Sequence, residues 1–177
     1  MLGEYERLIR EAPSHEPSFQ DFFSRHPQLL DPMARQVWAQ PDFHGALQPD
    51  FVIRRFDDSY LVVEIQCPAK KLVTLAGQVA QAAAHAEMQA LAYEDFLSTR
   101  ITEARCHFPN FHRADCLVVV GLQDSLTSGQ KQALDRANRR KQNSQIVAFD
   151  WLLERGRAIV RNVSEGPVEV IGKHRVV

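Results

Sequence analysis

The chain has 177 residues, 45% of them hydrophobic and 24% charged, which is the make-up of a globular domain rather than a disordered or fibrous segment. Its 21 basic and 22 acidic residues leave a formal net charge of -1, which excludes a global positive field, so nucleic-acid binding would need a local basic patch. The 3 cysteines form no C-x-x-C pair, and no apolar run approaches the roughly 18 residues a membrane span requires.

Met1–Arg7 has no basic stretch followed by an apolar one, so no signal peptide is expected and the reading is a cytoplasmic protein with no membrane partner. The length suits a single domain over 1–177, with its core at about 16–160. The oligomeric state stays open, a homo-oligomer included.

In chain order, Glu4–Glu11 reads as a short helix with Tyr5, Leu8 and Ile9 on one face. A second helix is expected from a Ser14 N-cap, with Pro17 in its first turn and Phe19, Phe22 and Phe23 at helical spacing, closed by Pro27. Ala34–Ala39 reads as a strand, followed by a loop containing Gly45. Phe51–Phe56 and Tyr60–Gln66 are two further strands joined at Asp57-Asp58-Ser59, and they predict an antiparallel hairpin.

An alanine-rich helix is expected over Thr74–Ser98, a buried strand over Cys116–Gly121, a basic-ended helix over Ser128–Arg140 and a strand over Gln145–Phe149. Asp150 is a candidate cap for a short helix through Trp151, Leu152 and Leu153. Ala158–Val160 and Val168–Val170, separated by Gly166-Pro167, read as a C-terminal hairpin. These elements predict an α/β or α+β sandwich, a central mixed sheet flanked by helices.

Chemistry concentrates on the predicted hairpin. Side chains alternate along a strand, so Glu64 and Gln66 share a face, and the hairpin brings the start of one strand beside the end of the other, placing Asp50 next to Glu64. Two converging carboxylates suit a hard cation such as Mg²⁺ or Mn²⁺, which lowers the pKa of a bound water and stabilises charge on a phosphate. On the alanine-rich helix, Gln81, His85, Gln89 and Tyr93 recur every four residues and are expected to face the cleft. Arg136, Arg139, Arg140 and Lys141 form the densest basic cluster, a candidate for phosphate contacts. Cys106, His107, His112 and Cys116 fit no common zinc spacing.

Pro49-Asp50-Phe51 followed by Val62-Val63-Glu64-Ile65-Gln66 resembles the PD-(D/E)XK nuclease superfamily, and Gln89–Tyr93 is similar to the Q-x-x-x-Y helix motif of some of its branches. The Shedu-type antiphage nuclease domain is more similar still. Its early F-x-x-F-L-x-x-x-P-x-L-L segment resembles Phe19–Leu30, and its apolar strand ending in glycine resembles Leu117–Gly121. Its L-x-x-x-N and aromatic-Asp-x-Leu-Leu segments resemble Leu134–Asn138 and Phe149–Leu153.

The resemblance covers about 16–160. It implies a restriction-endonuclease-like sandwich and metal-dependent cleavage of nucleic acid, DNA above all, in defence against phage. It also implies that Asp50 and Glu64 hold the metal, with Glu16 matching an acid that some members place near it. One position departs from the pattern: Gln66 stands where the family usually has a catalytic lysine. An amide orients water but brings no charge, while Lys70 and Lys71 lie close along the chain. The alternative is a catalytically degenerate nuclease fold serving as a nucleic-acid or protein interaction module.

Overall fold

The computed structural model describes residues 1–43 and 47–164. Five strands form one sheet in the order β1-β2-β3-β4-β5: β1 (Ala34–Ala39), β2 (Phe51–Arg55), β3 (Tyr60–Ile65), β4 (Ala114–Val119) and β5 (Ser144–Val147). The first three run antiparallel and the last three parallel, so β3 is the hinge between the two halves. Every residue of β3 is buried, which is why its sequence reads as a near-continuous apolar run.

The two faces carry different helices. Phe51, Ile53, Leu61, Val63, Ile65, Leu117 and Val119 point into a core with α1 (Leu2–Glu11), α2 (Glu16–Arg25) and α6 (Phe149–Ser164). Phe19, Phe22 and Phe23 of α2 are fully buried there, each contributing about 1.5–3 kcal/mol of transfer free energy. On the other face, Val52, Val62, Cys116, Val118 and Ile146 pack with α3 (Gln81–Thr99), α4 (Ile101–His107) and Leu134 of α5 (Ser128–Arg139). Ala83, Ala86 and Ala90 turn toward this core, and their small size lets α3 approach so closely that the Cys116 thiol lies 3.4 Å from the Ala90 carbonyl oxygen. The result is the expected mixed sheet between two helical layers. Among the described residues no helix is long and apolar enough to cross a membrane.

Four local expectations are corrected. The second helix starts at Glu16, and it is His15, not Ser14, that stands at the cap position, with its ring nitrogen 2.6 Å from the Ser18 hydroxyl. The third helix begins at Gln81 rather than Thr74. Thr74–Gln78 is a turn instead, because Gly77 takes φ 75° and Thr74 N–H donates to Gln78 O at 2.8 Å. Asp150 sits inside the first turn of a 16-residue helix, and its carboxylate accepts from the backbone N–H groups of Gln123 and Asp124, both at 2.8 Å. It therefore anchors the loop after β4. Ala158–Val160 belong to α6 and form no strand, since Leu152, Leu153 and Gly156 continue one buried helical face. Val168–Val170 and Gly45 lie outside the described residues.

Candidate active site

The β2–β3 register pairs Phe51 with Val63 and Val52 with Val62, so one step further back along β2 sets Asp50 opposite Glu64. Both side chains are buried, at 8% and 7% exposure, and they stand out because the only other buried acid among the described residues is Asp31. Asp31 is neutralised by Arg55 at 2.6 Å, whereas neither Asp50 nor Glu64 has an ion-pair partner among the described residues.

Asp50 is held from two sides. The Ile65 N–H donates to Asp50 Oδ2 at 2.7 Å, and Gln20 Nε2 donates to Oδ1 at 2.6 Å. Gln20 is steadied in turn by Gln40 Nε2, which donates to its Oε1 at 3.1 Å. Burial pushes the Asp50 carboxyl up to about 6, the two donors opposing that rise and the Glu16 charge adding to it. Burial likewise raises Glu64, to about 8, reinforced by the charges of Asp50 and Glu16 and opposed by a backbone hydrogen bond from Asp50. Glu64 Oε2 is buried without a hydrogen-bond partner among the described residues. Two desolvated carboxylates, the charge of Asp50 raising Glu64 and one Glu64 oxygen orphaned, fit a divalent cation bound through two protein carboxylates with water completing its shell.

Glu16 opens α2, and burial raises its carboxyl while the charge of Lys70 opposes that. Its charge reaches both other acids, yet among the described residues no three His, Cys, Asp or Glu side chains converge as a metal-binding group. Glu16 is a neighbouring charge to the pair. Gln66 is half-buried beyond the end of β3, and its N–H donates to Val119 O at 2.9 Å.

The polar stripe on α3 does not form one surface. Four-residue steps on a helix drift by about 40° each. Gln81 and His85 are accordingly exposed, Gln89 half-buried and Tyr93 buried at 7% exposure. Burial, with the charges of Glu64 and Asp50 behind it, pushes the Tyr93 phenol up to about 12, so Tyr93 lies within their electrostatic reach.

The basic cluster is not brought to the carboxylates. Arg136 and Arg139 lie in the last turn of α5 and Arg140 caps it, leading into Ser144 at the start of β5, while Glu64 lies toward the finish of the parallel strand β3. Two of its four cations are paired, Arg139 with Asp135 at 2.9 Å and Lys141 with Glu87 at 2.6 Å. The cysteines and histidines weighed for zinc also stay apart: Cys106 is exposed on α4 and Cys116 is buried in β4.

Gln20 escaped the sequence reading. Its signal was its place four residues after Glu16, hence on the same face of α2.

The family profile described as "Shedu protein SduA, C-terminal" matches residues 13–153, which include every residue of this constellation. The chain belongs to that family. This carries it into the PD-(D/E)XK-like nuclease superfamily. No curated protein matches the chain. Among solved structures the Shedu domain is similar to an EndoMS–dsDNA2 complex, at TM-score 0.43 and 17% identity over 76% of this chain and 45% of that one. It is also similar to a repair endonuclease from Pyrococcus abyssi, at TM-score 0.45 and 15% identity over 76% of this chain and 46% of that one. This chain therefore spans less than half the length of either structure.

Proposed function

We propose that this Shedu domain is a metal-dependent nuclease that hydrolyses phosphodiester bonds in DNA, as part of defence against phage. The observation that carries the reading is the buried Asp50–Glu64 pair with its orphaned Glu64 oxygen. Such a pair is unfavourable as a purely structural feature and favourable as a cation seat. Mg²⁺ or Mn²⁺ held by these two carboxylates would activate water and offset charge on the phosphate under attack.

The remaining roles fall to the protein. Gln20 and the Ile65 N–H fix the Asp50 carboxylate, so its direction is set before a cation arrives. The Gln66 amide can orient the attacking water, and Lys70, whose charge reaches Glu16, is the neighbouring cation that can oppose developing negative charge.

The test is cleavage of single- and double-stranded DNA and RNA with Mg²⁺ or Mn²⁺ against EDTA. Glu64→Ala should abolish cleavage and leave the fold intact, and Gln66→Lys should preserve or raise the rate. Cleavage that survives Glu64→Ala would refute the assignment. A second reading, a binding module on a degenerate nuclease fold, is favoured by Gln66 itself. It expects nucleic acid to bind without being cut, and Gln66→Lys not to restore cutting.

A further inference from the structure

The segment 72–80, between β3 and α3, is a small hairpin that the site described above does not use. Val73 and Val79 form an isolated antiparallel bridge, Ala80 N–H donates to Leu72 O at 3.0 Å, and Gly77 N–H donates to Thr74 O at 3.0 Å. The Thr74 hydroxyl also accepts from Gln78 N–H at 3.1 Å. From outside, Gln130 Nε2 in the first turn of α5 donates to Thr74 O at 3.1 Å, and the same side chain completes the capping box of α5 with Thr127. Leu72 and Val73, at the base, are buried. The hairpin is therefore pinned at its base and its turn, and what it holds out at the tip is Leu75, 98% exposed.

Position gives this exposure a meaning. β3 and β4 run parallel with Ile65 opposite Val119, and Gly121, just past β4, packs so tightly on this connection that a Cβ there would meet Lys70 O at 2.6 Å and Leu72 Cβ at 3.1 Å. The hairpin thus rises from the end of the sheet that carries Glu64. On the way it passes exposed Lys70 and Lys71, the former close enough for its charge to act on Glu16.

A protein partner is a poor fit. A stable protein interface buries about 1,200–2,000 Å² in total, whereas Leu75 is flanked by Ala76, Gly77 and Gln78 and forms no broad apolar face. A single apolar side chain on a stiff support, with exposed Lys70 and Lys71 on the stretch leading into it, matches what unstacks a base step in a nucleic-acid duplex.

We infer that the 72–80 hairpin engages the substrate of the proposed nuclease site, with Leu75 as an apolar wedge inserted between neighbouring bases of a DNA duplex. This rests on the nuclease reading above and adds to it a duplex whose stacking is opened next to the scissile site. Because the hairpin is already ordered by its own hydrogen bonds, little entropy is lost when it docks.

The experiment uses short DNA duplexes carrying 2-aminopurine at successive positions, mixed with the full chain in calcium and in EDTA. That base brightens when it is unstacked. The wild type should raise its fluorescence severalfold at one or two adjacent positions. Leu75→Ala should lose that rise and weaken binding by about fivefold or more, Leu75→Met should retain most of it, and the melting temperatures of both variants should match the wild type.

Several outcomes overturn the inference while leaving the nuclease reading standing. These are a duplex that binds without brightening at any position, a Leu75→Ala signal equal to wild type, and a loss of oligomeric mass in Leu75→Ala, which would make Leu75 a subunit contact. Failure of the wild type to bind any nucleic acid would remove the nuclease reading and the wedge with it.

Discussion

Burying two carboxylates side by side costs stability that protonation or a bound cation returns, and this sets a pH signature on Asp50 and Glu64. Both titrate higher in the folded chain, at about 6 and about 8, than their ordinary values of 3.8 and 4.5. The folded state then holds more protons than the unfolded state across that window, so these groups lower stability as pH rises from about 4 to about 8. Glu64→Gln removes the larger share. Its melting temperature should exceed that of wild type by a few degrees at pH 8, and the gap should close below pH 5, on a scale of about 2–4 °C per kcal/mol for a chain of this size. Added Mg²⁺ should raise the wild-type melting temperature at pH 8 more than that of Glu64→Gln. A gap that stays constant with pH would separate Glu64 from the titration. This pair was legible in the sequence because strand parity and hairpin register are local rules. Gln20 was not, since its contact with Asp50 joins a helix to a strand 30 residues away and leaves no motif.

At the level of elements, β5 shows how a sheet edge is closed. Among the described residues it pairs only with β4, and on its other side Asn138 of α5 takes the place of a sixth strand. Asn138 Nδ2 donates to Ile146 O at 2.8 Å, and Ile146 N–H donates to Asn138 Oδ1 at 3.0 Å. One side-chain amide thereby satisfies both outward groups of a buried residue and blunts the edge against strand addition. Asn138→Ala should cost about 1–3 kcal/mol, read as a lower melting temperature, and should raise light scattering near the melt. Asn138→Asp should not rescue it, because a carboxylate accepts from the Ile146 N–H but meets the Ile146 carbonyl without a proton to donate. A melt unchanged in Asn138→Ala would dismiss the clamp. The strands were legible because apolar, valine-rich runs such as Leu61-Val62-Val63 and Leu117-Val118-Val119 favour a buried strand. The start of α3 was not. Thr74–Ala80 shares the helix's alanine- and glutamine-rich composition, and it is the left-handed Gly77, with the tertiary pin from Gln130 to the Thr74 carbonyl, that makes it a hairpin.

For the whole molecule, a net charge of -1 means that any affinity for a polyanion depends on where the cations lie. Two candidate tracks separate in space. Arg139 and Lys141 at the end of α5 are already paired with Asp135 and Glu87, and their helix runs away from the carboxylates. Lys70 and Lys71 are exposed on the connection leaving β3, where the charge of Lys70 is felt by Glu16. A phosphate backbone crossing the site would release counterions from the second track and hardly from the first. The logarithm of affinity falls with the logarithm of salt concentration by about 0.9 for each duplex phosphate neutralised. Binding of a DNA duplex by Lys70→Ala/Lys71→Ala should therefore show a slope flatter by about 1–2 than wild type, with the fold retained because both side chains are exposed. The slope of Arg139→Ala/Arg140→Ala should change by much less, since Arg139 is engaged within its own helix. The reverse ranking, with the arginine double variant giving the flatter line, would place the nucleic acid along α5 instead. It would then remove both Lys70 and the 72–80 hairpin from the path of the substrate.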